Sequence, residues 1–228
     1  MGTRDDLLAA AEALFAEHGY AGVGIREIAT RADANLSAIK YHFGGKPDLY
    51  RETVRRALQR REVGEVWSLL DPTPPSREGA ARALVAFVRG WLDRMCDSGR
   101  PNACTRLMLR EALRPSVAVD LVVRDFVQPN EELLAAVIRR IAPGLAPAER
   151  TACARSVIGQ LVHYVVFRPF LERRTPRRVL DPEQVRRIAD HVAAFSLRGL
   201  GGTEAFVRRA LAPAPAGRLR PRKDLQPS

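Results

Sequence analysis

Residues 19–50, GYAGVGIREIATRADANLSAIKYHFGGKPDLY, decide how this chain is read. Apolar residues recur in it at three- and four-residue spacing, the period of a helix. Residues 25–32 read as one short helix and 36–42 as another, with Asp33-Ala34-Asn35 as the turn between them. Asn35 is suited to cap the second helix. Gly44-Gly45 breaks it. Lys46-Pro47-Asp48 then opens a longer helix, with Pro47 where a missing N–H costs nothing. Two short helices joined by a tight turn have the proportions of a helix-turn-helix.

The same periodicity extends in both directions. Upstream, Leu7, Leu8, Ala11, Leu14 and Phe15 mark a first helix, with Thr3-Arg4-Asp5-Asp6 as its capping box and Gly19 as a left-handed C-cap. Downstream, the helix opened by Lys46 carries Leu49, Val54, Leu58, Val63, Val66 and Trp67 and runs to about residue 70. Residues 71–76, rich in proline, form a stiff linker. Further helices are expected over 77–97, 104–113, 117–141, 147–171 and 182–198, with a short one over 203–211. The expected fold is all-α. An N-terminal three-helix helix-turn-helix unit (1–48) is joined by a long helix to a larger helical regulatory bundle (49–211), and residues 212–228 form a disordered tail.

Composition fits a globular protein of 228 residues, with 46% hydrophobic and 28% charged residues. No apolar run approaches the ~18 residues of a membrane helix, and the start lacks the pattern of a secretory signal. Three separated cysteines (Cys96, Cys104, Cys153) read as small core residues in a reducing compartment, so the expected location is cytoplasmic. The net charge of +11 favours anionic partners but does not place a site. Residues 1–60 carry nine basic and eight acidic residues, whereas 171–228 carry thirteen and six. Lysine is more informative. Only three of the 37 basic residues are lysine, and two of them, Lys40 and Lys46, fall within the helix-turn-helix.

On a helical wheel, Ile39 and Phe43 share one face and can form a small core with Ile28, Ala29 and Leu14. Ser37, Ala38 and Tyr41 then point away, with Lys40 and His42 on the flanks. An outer face that is small, hydroxylated, aromatic and basic suits the major groove of DNA. Leu36 lies nearer the buried face, either at the core edge or against a thymine methyl. Lys46 sits at a helix N-terminus, where backbone N–H groups favour a phosphate. The bland alternative is that Tyr41 and His42 close the small core and Lys40 is a solvated charge.

The quoted stretch resembles the DNA-binding signature of the TetR family of transcriptional regulators. The resemblance rests on Gly19-Tyr20, Ile28-Ala29, the turn, Tyr41-His42-Phe43, and Lys46 with Leu49 after a glycine pair. It implies a homodimer on a near-palindromic double-stranded DNA operator. By the family pattern the recognition-helix positions are Leu36, Ser37, Ala38, Lys40, Tyr41 and His42, and Lys46 contacts backbone phosphate; Asn35, the helix cap, joins them as a DNA-contact candidate. Three positions depart from that pattern: Gly24 where Ser or Thr caps the second helix, Asp33 where Gly is usual, and Lys40 in place of an aromatic. LMLREALRPS (107–116), GQLVHYVVFRPFL (159–171) and HVAAFSLRGLGG (191–202) look like the regulatory domain of one branch, CecR-like or CerR-like.

The resemblance further implies a repressor released by an effector bound among the central helices, and dimerisation through the helices over 147–171 and 182–198. Candidate pocket residues are Trp91, Met95, Arg106, Met108, Arg110, Phe126 and Phe167, which suit an apolar or aromatic effector. Gly159 permits close approach, either of a partner helix or within the monomer. No catalytic constellation, metal-ligand spacing or cofactor loop is found, and His163 beside Tyr164 reads as a core pair. The basic stretch 218–223 reads either as solvated tail, the favoured reading, or as a contact to DNA or an anionic surface. A helical small-molecule-binding or scaffolding protein without DNA binding is the competing reading.

Overall fold

The computed structural model describes residues 4–60, 76–97, 100–174 and 181–212. The expected roles of Thr3, of the long helix beyond 60, of the linker up to 75 and of the tail from 213 lie outside the described residues.

α1 (Arg4–Gly22), α2 (Ile25–Arg31), α3 (Leu36–Phe43) and α4 (Lys46–Arg60) follow one another as the apolar spacing predicts. Gly19 breaks α1 at φ 75 and ψ 172, and the chain then makes one more helical turn. The expected left-handed cap is therefore a kink, with a positive φ that glycine adopts without penalty. α5 (Arg77–Met95) is capped by Ser76, whose Oγ accepts from Gly79 N at 3.0 Å. A two-residue antiparallel ladder, Cys96–Asp97 with Arg100–Pro101, turns the chain into α6 (Ala103–Leu113). Then come α7 (Val119–Val122), a π-helical turn (Val123–Val127) and α8 (Gln128–Ile141) without a break. α9 (Pro147–Val166), α10 (Arg168–Arg174), α11 (Pro182–Gly199) and α12 (Glu204–Leu211) complete the described chain.

The helix expected over 147–171 is broken at Phe167 (φ −86, ψ 0). Pro169, with no N–H to give and a ring that clashes with the preceding turn, accounts for the break. His163 is also not a core residue. It is exposed and stacks on Phe167 at 4.8 Å, while Tyr164 is half-buried. Of the cysteines, Cys104 is buried, Cys96 and Cys153 are half-buried, and none forms a disulfide.

Among the described residues, two cores organise the fold. One gathers α5, α8, α9, α11 and α12 around Leu84, Leu92, Leu134, Ile138 and Leu161, all fully buried. The other gathers the N-terminal helices around Leu7, Phe15, Ile28, Ile39, Leu49 and Tyr50. This second core does not stop near residue 48. It continues along α4 to Leu58 and takes in Cys104, Leu107 and Met108 of α6, and Leu121 and Val122 of α7. By packing, α6 therefore belongs as much to the helix-turn-helix unit as to the bundle. Emptying such a site, as in Leu107→Ala, costs about 2–5 kcal/mol.

Candidate nucleic-acid interface

α3 is held from both ends. At its start the Asn35 side chain accepts from Ser37 N at 3.1 Å. At its end Gly44 adopts a left-handed conformation (φ 78), and its N–H donates to Lys40 O at 2.9 Å. The turn before it places Asp33 at φ 49, and Ala34 N donates to Ala29 O at 2.9 Å. Asp33 thus occupies the glycine-like position itself, which aspartate tolerates better than most residues. Gly24 precedes α2 with no side-chain cap.

The buried face of α3 is the pair Ile39 (1% exposed) and Phe43 (8%), set in the N-terminal core with Ile28, Ala29 and Leu14. Ala38 packs at the edge of that core. Leu36, Ser37, Lys40, Tyr41 and His42 are exposed, Tyr41 to 85%. Tyr41 and His42 therefore do not close the core. Their rings meet edge-on at 5.0 Å, outside it. A large aromatic held out in water on a capped, anchored helix forgoes the burial its ring would gain.

Lys46 opens α4 beside this face. Its Nζ lies 4.6 Å above the centre of the Tyr20 ring, which in turn packs on Tyr50 at 4.9 Å. The ring steadies the ammonium without neutralising it. In the same first turn, Asp48 accepts from Arg51 Nη1 at 2.8 Å, which offsets its repulsion of an incoming anion.

The N-terminal unit is tied to the segment from Arg110 to Val117, at the end of α6 and just after it, by polar contacts from α1 and α4. Tyr50 and Glu111 are fully buried, and Tyr50 Oη donates to Glu111 Oε1 at 2.7 Å. Ser116 Oγ donates to the same oxygen at 2.6 Å, and Ser116 N donates to Oε2 at 3.1 Å. Burial, then the Glu111 carboxylate, push the Tyr50 phenol well above its ordinary pKa. Arg51 Nε donates to Val117 O at 3.0 Å. Arg110 donates to Ala16 O at 3.1 Å and also to Glu17 O. Tyr50, Arg110, Glu111 and Ser116 border an open cavity of about 700 Å³ between α1 and the end of α6. Glu111 and Tyr50 were not among the residues expected from sequence, because 61 positions separate them.

The seven expected pocket residues are distributed over the molecule. Trp91 and Phe126 meet on a cavity of about 230 Å³, with Val127, Asn130, Ile158, Gly159 and Val162, and with the Glu131–Arg155 ion pair on its wall. Met95 is in the bundle core and Met108 in the N-terminal core. Arg106 donates to Pro101 O at 2.7 Å, Arg110 faces α1, and Phe167 is on the surface. Among the described residues, no cluster of three or more His, Cys, Asp or Glu could hold a metal ion, and no helix is long and apolar enough to cross a membrane.

Residues 7–53 match the family model described as bacterial regulatory proteins, tetR family. Residues 80–200 match the C-terminal domain of the HTH-type transcriptional dual regulator CecR. The CecR protein of Shigella flexneri is 28% identical over 141 residues, covering 59% of this chain and 62% of that protein. The HTH-type transcriptional repressor NicS of Pseudomonas putida is 36% identical over 86 residues, covering 38% of this chain and 40% of that protein. The chain thus matches less than two thirds of the length of either relative. Among solved structures, a transcriptional regulator from Rhodococcus sp. Rha1 is similar with a TM-score of 0.61 at 21% identity, over 86% of this chain and 96% of that one. A TetR-like regulator from Rhodococcus sp. RHA1 reaches 0.60 at 18% identity, over 87% and 96%. At these identities the likeness concerns the fold.

Proposed function

The chain belongs to the TetR family of bacterial regulatory proteins, with a CecR-type C-terminal domain, and we propose that it is a homodimeric, sequence-specific DNA-binding regulator. The observation that carries this reading is the outer face of α3. Tyr41, Lys40, His42, Ser37 and Leu36 are exposed together on a helix that Ile39 and Phe43 anchor. In this reading α3 enters the major groove, where Lys40 and Tyr41 meet base edges or phosphates, Ala38 permits close approach, and Asn35 contributes through its cap. Lys46 contacts backbone phosphate from the start of α4.

Dimerisation is assigned to α9 and α11. Ala152, Ser156, Gly159, His163 and Val166 form an exposed stripe along α9 at alternating four- and three-residue spacing. His191 and Phe195 are exposed on α11. A Cβ built at Gly159 would meet nothing within 4 Å, so packing inside the monomer does not require glycine there, and a partner helix is the favoured reason for it.

The effector site is assigned to the apolar cavity walled by Trp91 and Phe126, which suits a small apolar or aromatic molecule. Such a ligand releases DNA only if it binds the DNA-incompetent state more tightly. Half-sites about one DNA turn apart make the spacing of the two recognition helices the variable that it changes. Gel shifts against the DNA upstream of the protein's own gene, with excess unrelated competitor, test the reading. A specific shift is expected at moderate salt, and complete loss of the shift to competitor would overturn it in favour of a non-DNA-binding helical scaffold.

A further inference from the structure

We propose that Glu111 is the positioning residue for DNA binding: its buried carboxylate is the pin by which the regulatory domain fixes the angle of α4, and with it the recognition helix. This rests on the DNA-binding reading above. The physical case begins with what surrounds the carboxylate. It is 2% exposed and accepts from Tyr50 Oη, Ser116 Oγ and Ser116 N. Among the described residues no cation pairs with it within 4.0 Å, so donors alone hold it. A buried carboxylate held this way tolerates little movement, because each donor that leaves strands a charge away from water.

The donors come from opposite sides of the domain junction. Tyr50 is on α4, one turn after Lys46 and close in sequence to α3. Ser116 lies in the loop between α6 and α7. Two neighbouring contacts repeat the same grip. Arg51, next to Tyr50, holds Val117 O, and Arg110, next to Glu111, holds Ala16 O and Glu17 O in α1 beside the Gly19 kink. Adjacent pairs, 50–51 and 110–111, thus clasp each other's domains reciprocally. Apolar contacts in the same junction, such as Leu107, supply adhesion. Hydrogen bonds set direction and distance, which adhesion does not.

The clasp also has a route to the proposed effector cavity. From Ser116 the chain passes through α7, whose Leu121 and Val122 are in the N-terminal core, into the π-helical turn. At the far side of that turn Phe126, Val127 and Asn130 wall the cavity, and Asn130 Nδ2 donates to Phe126 O. A π turn inside a helix is a place where register is readily redistributed. A ligand that moves Phe126 therefore acts on the same segment that presents Ser116 and Val117 to α4.

The experiment measures the angle directly and without DNA. Nitroxides are placed on genetically encoded labels at Ser37 and Arg139 of one chain, and labelled chain is diluted with unlabelled chain so that only the intrachain distance is read. The wild type is expected to give one narrow distribution. Tyr50→Phe, which keeps the ring, and Glu111→Gln, which keeps one acceptor oxygen, are expected to broaden or shift it while far-UV circular dichroism stays unchanged. Ile138→Val, which loosens the other core, is expected to leave it narrow. If both clasp variants fold and give the wild-type distribution, the proposal is overturned. Binding to duplexes whose two half-sites are moved apart one base pair at a time links the angle to function. A sharp optimum is expected for the wild type and a flattened profile for the clasp variants, while a single half-site is bound equally by all. Altered distances in a protein that binds no specific DNA would retain the clasp and reject the regulator reading. Unaltered distances in a protein that does bind would do the reverse.

Discussion

Lys46 Nζ lies 4.6 Å from the centre of the Tyr20 ring, so the basic group at the start of α4 is held against the core of the helix-turn-helix unit. A lysine fixed this way cannot follow the base sequence, but it can meet a phosphate at a constant position. Lys46→Ala is expected to weaken all DNA sequences about equally and to reduce the log–log salt slope of binding by about one. Anisotropy titrations at several salt concentrations measure this. A change confined to particular sequences would contradict it.

Lys40 and Tyr41 differ from Lys46 in being free of the core. Tyr41 is 85% exposed, so Tyr41→Ala is expected to change unfolding free energy by no more than about 0.5 kcal/mol. Its DNA affinity is expected to fall by about 1–3 kcal/mol at the bases it reads. Lys40→Ala is expected to alter sequence preference as well as affinity. Selection of preferred duplexes from a random pool shows whether the consensus changes, and an unchanged consensus in both variants would remove these residues from base recognition.

Gly159 offers a way to fill the proposed effector cavity from inside. A Cβ at this position meets nothing within 4 Å, so Gly159→Leu extends into open space without displacing the bundle core. Because Gly159 also lies on the stripe assigned to the partner helix, the variant is expected to weaken the dimer and its DNA binding, and to lose its response to apolar ligands that shift the wild-type thermal transition. A retained shift, measured against a panel of small aromatic compounds, would place the effector elsewhere.

Phe195 is 59% exposed on α11, on the face assigned to the partner chain. A buried, unpaired carboxylate is costly, so Phe195→Glu is expected to convert the dimer to monomer while leaving helix content unchanged. Sedimentation equilibrium is the check. An undiminished mass would move the interface to another surface.

Acid sensitivity follows from Glu52. A hydrogen bond from Arg4, and then Arg55, hold its carboxyl below the ordinary value of 4.5, in spite of partial burial. A depressed folded pKa contributes stability above the unfolded value, and that contribution is lost as pH falls through the folded one. The midpoint of thermal unfolding is therefore expected to fall below about pH 4.5 in the wild type and to fall less steeply in Glu52→Gln. Parallel slopes in the two proteins would show that the Arg4–Glu52 pair is unimportant in the folded state.

The recognition helix was legible in the sequence because its determinants are local. Asn35, Ile39, Phe43 and Gly44 lie within ten residues and act through capping, helical period and a left-handed turn. What was not legible is long-range. Nothing in the periodicity of residues 103–113 says that Leu107 and Met108 turn toward the N-terminal core, and nothing near Tyr50 announces Glu111, 61 positions away. The break at Phe167 was a misjudged local signal. Pro169 lies inside an apolar run whose period continues past it, and the backbone followed the proline. Trp91 is itself a buried member of the bundle core and Phe126 packs against the N-terminal one, so nothing in the sequence separates these two cavity residues from Met95 and Met108, which are core alone.

The most direct test of the central claim is the ratio of two dissociation constants. A duplex selected by the protein from random DNA is compared with a scrambled duplex of equal length and composition, by fluorescence anisotropy at one physiological salt concentration. A ratio of at least about 10³ is expected for a sequence-specific regulator. A ratio near one would contradict the account.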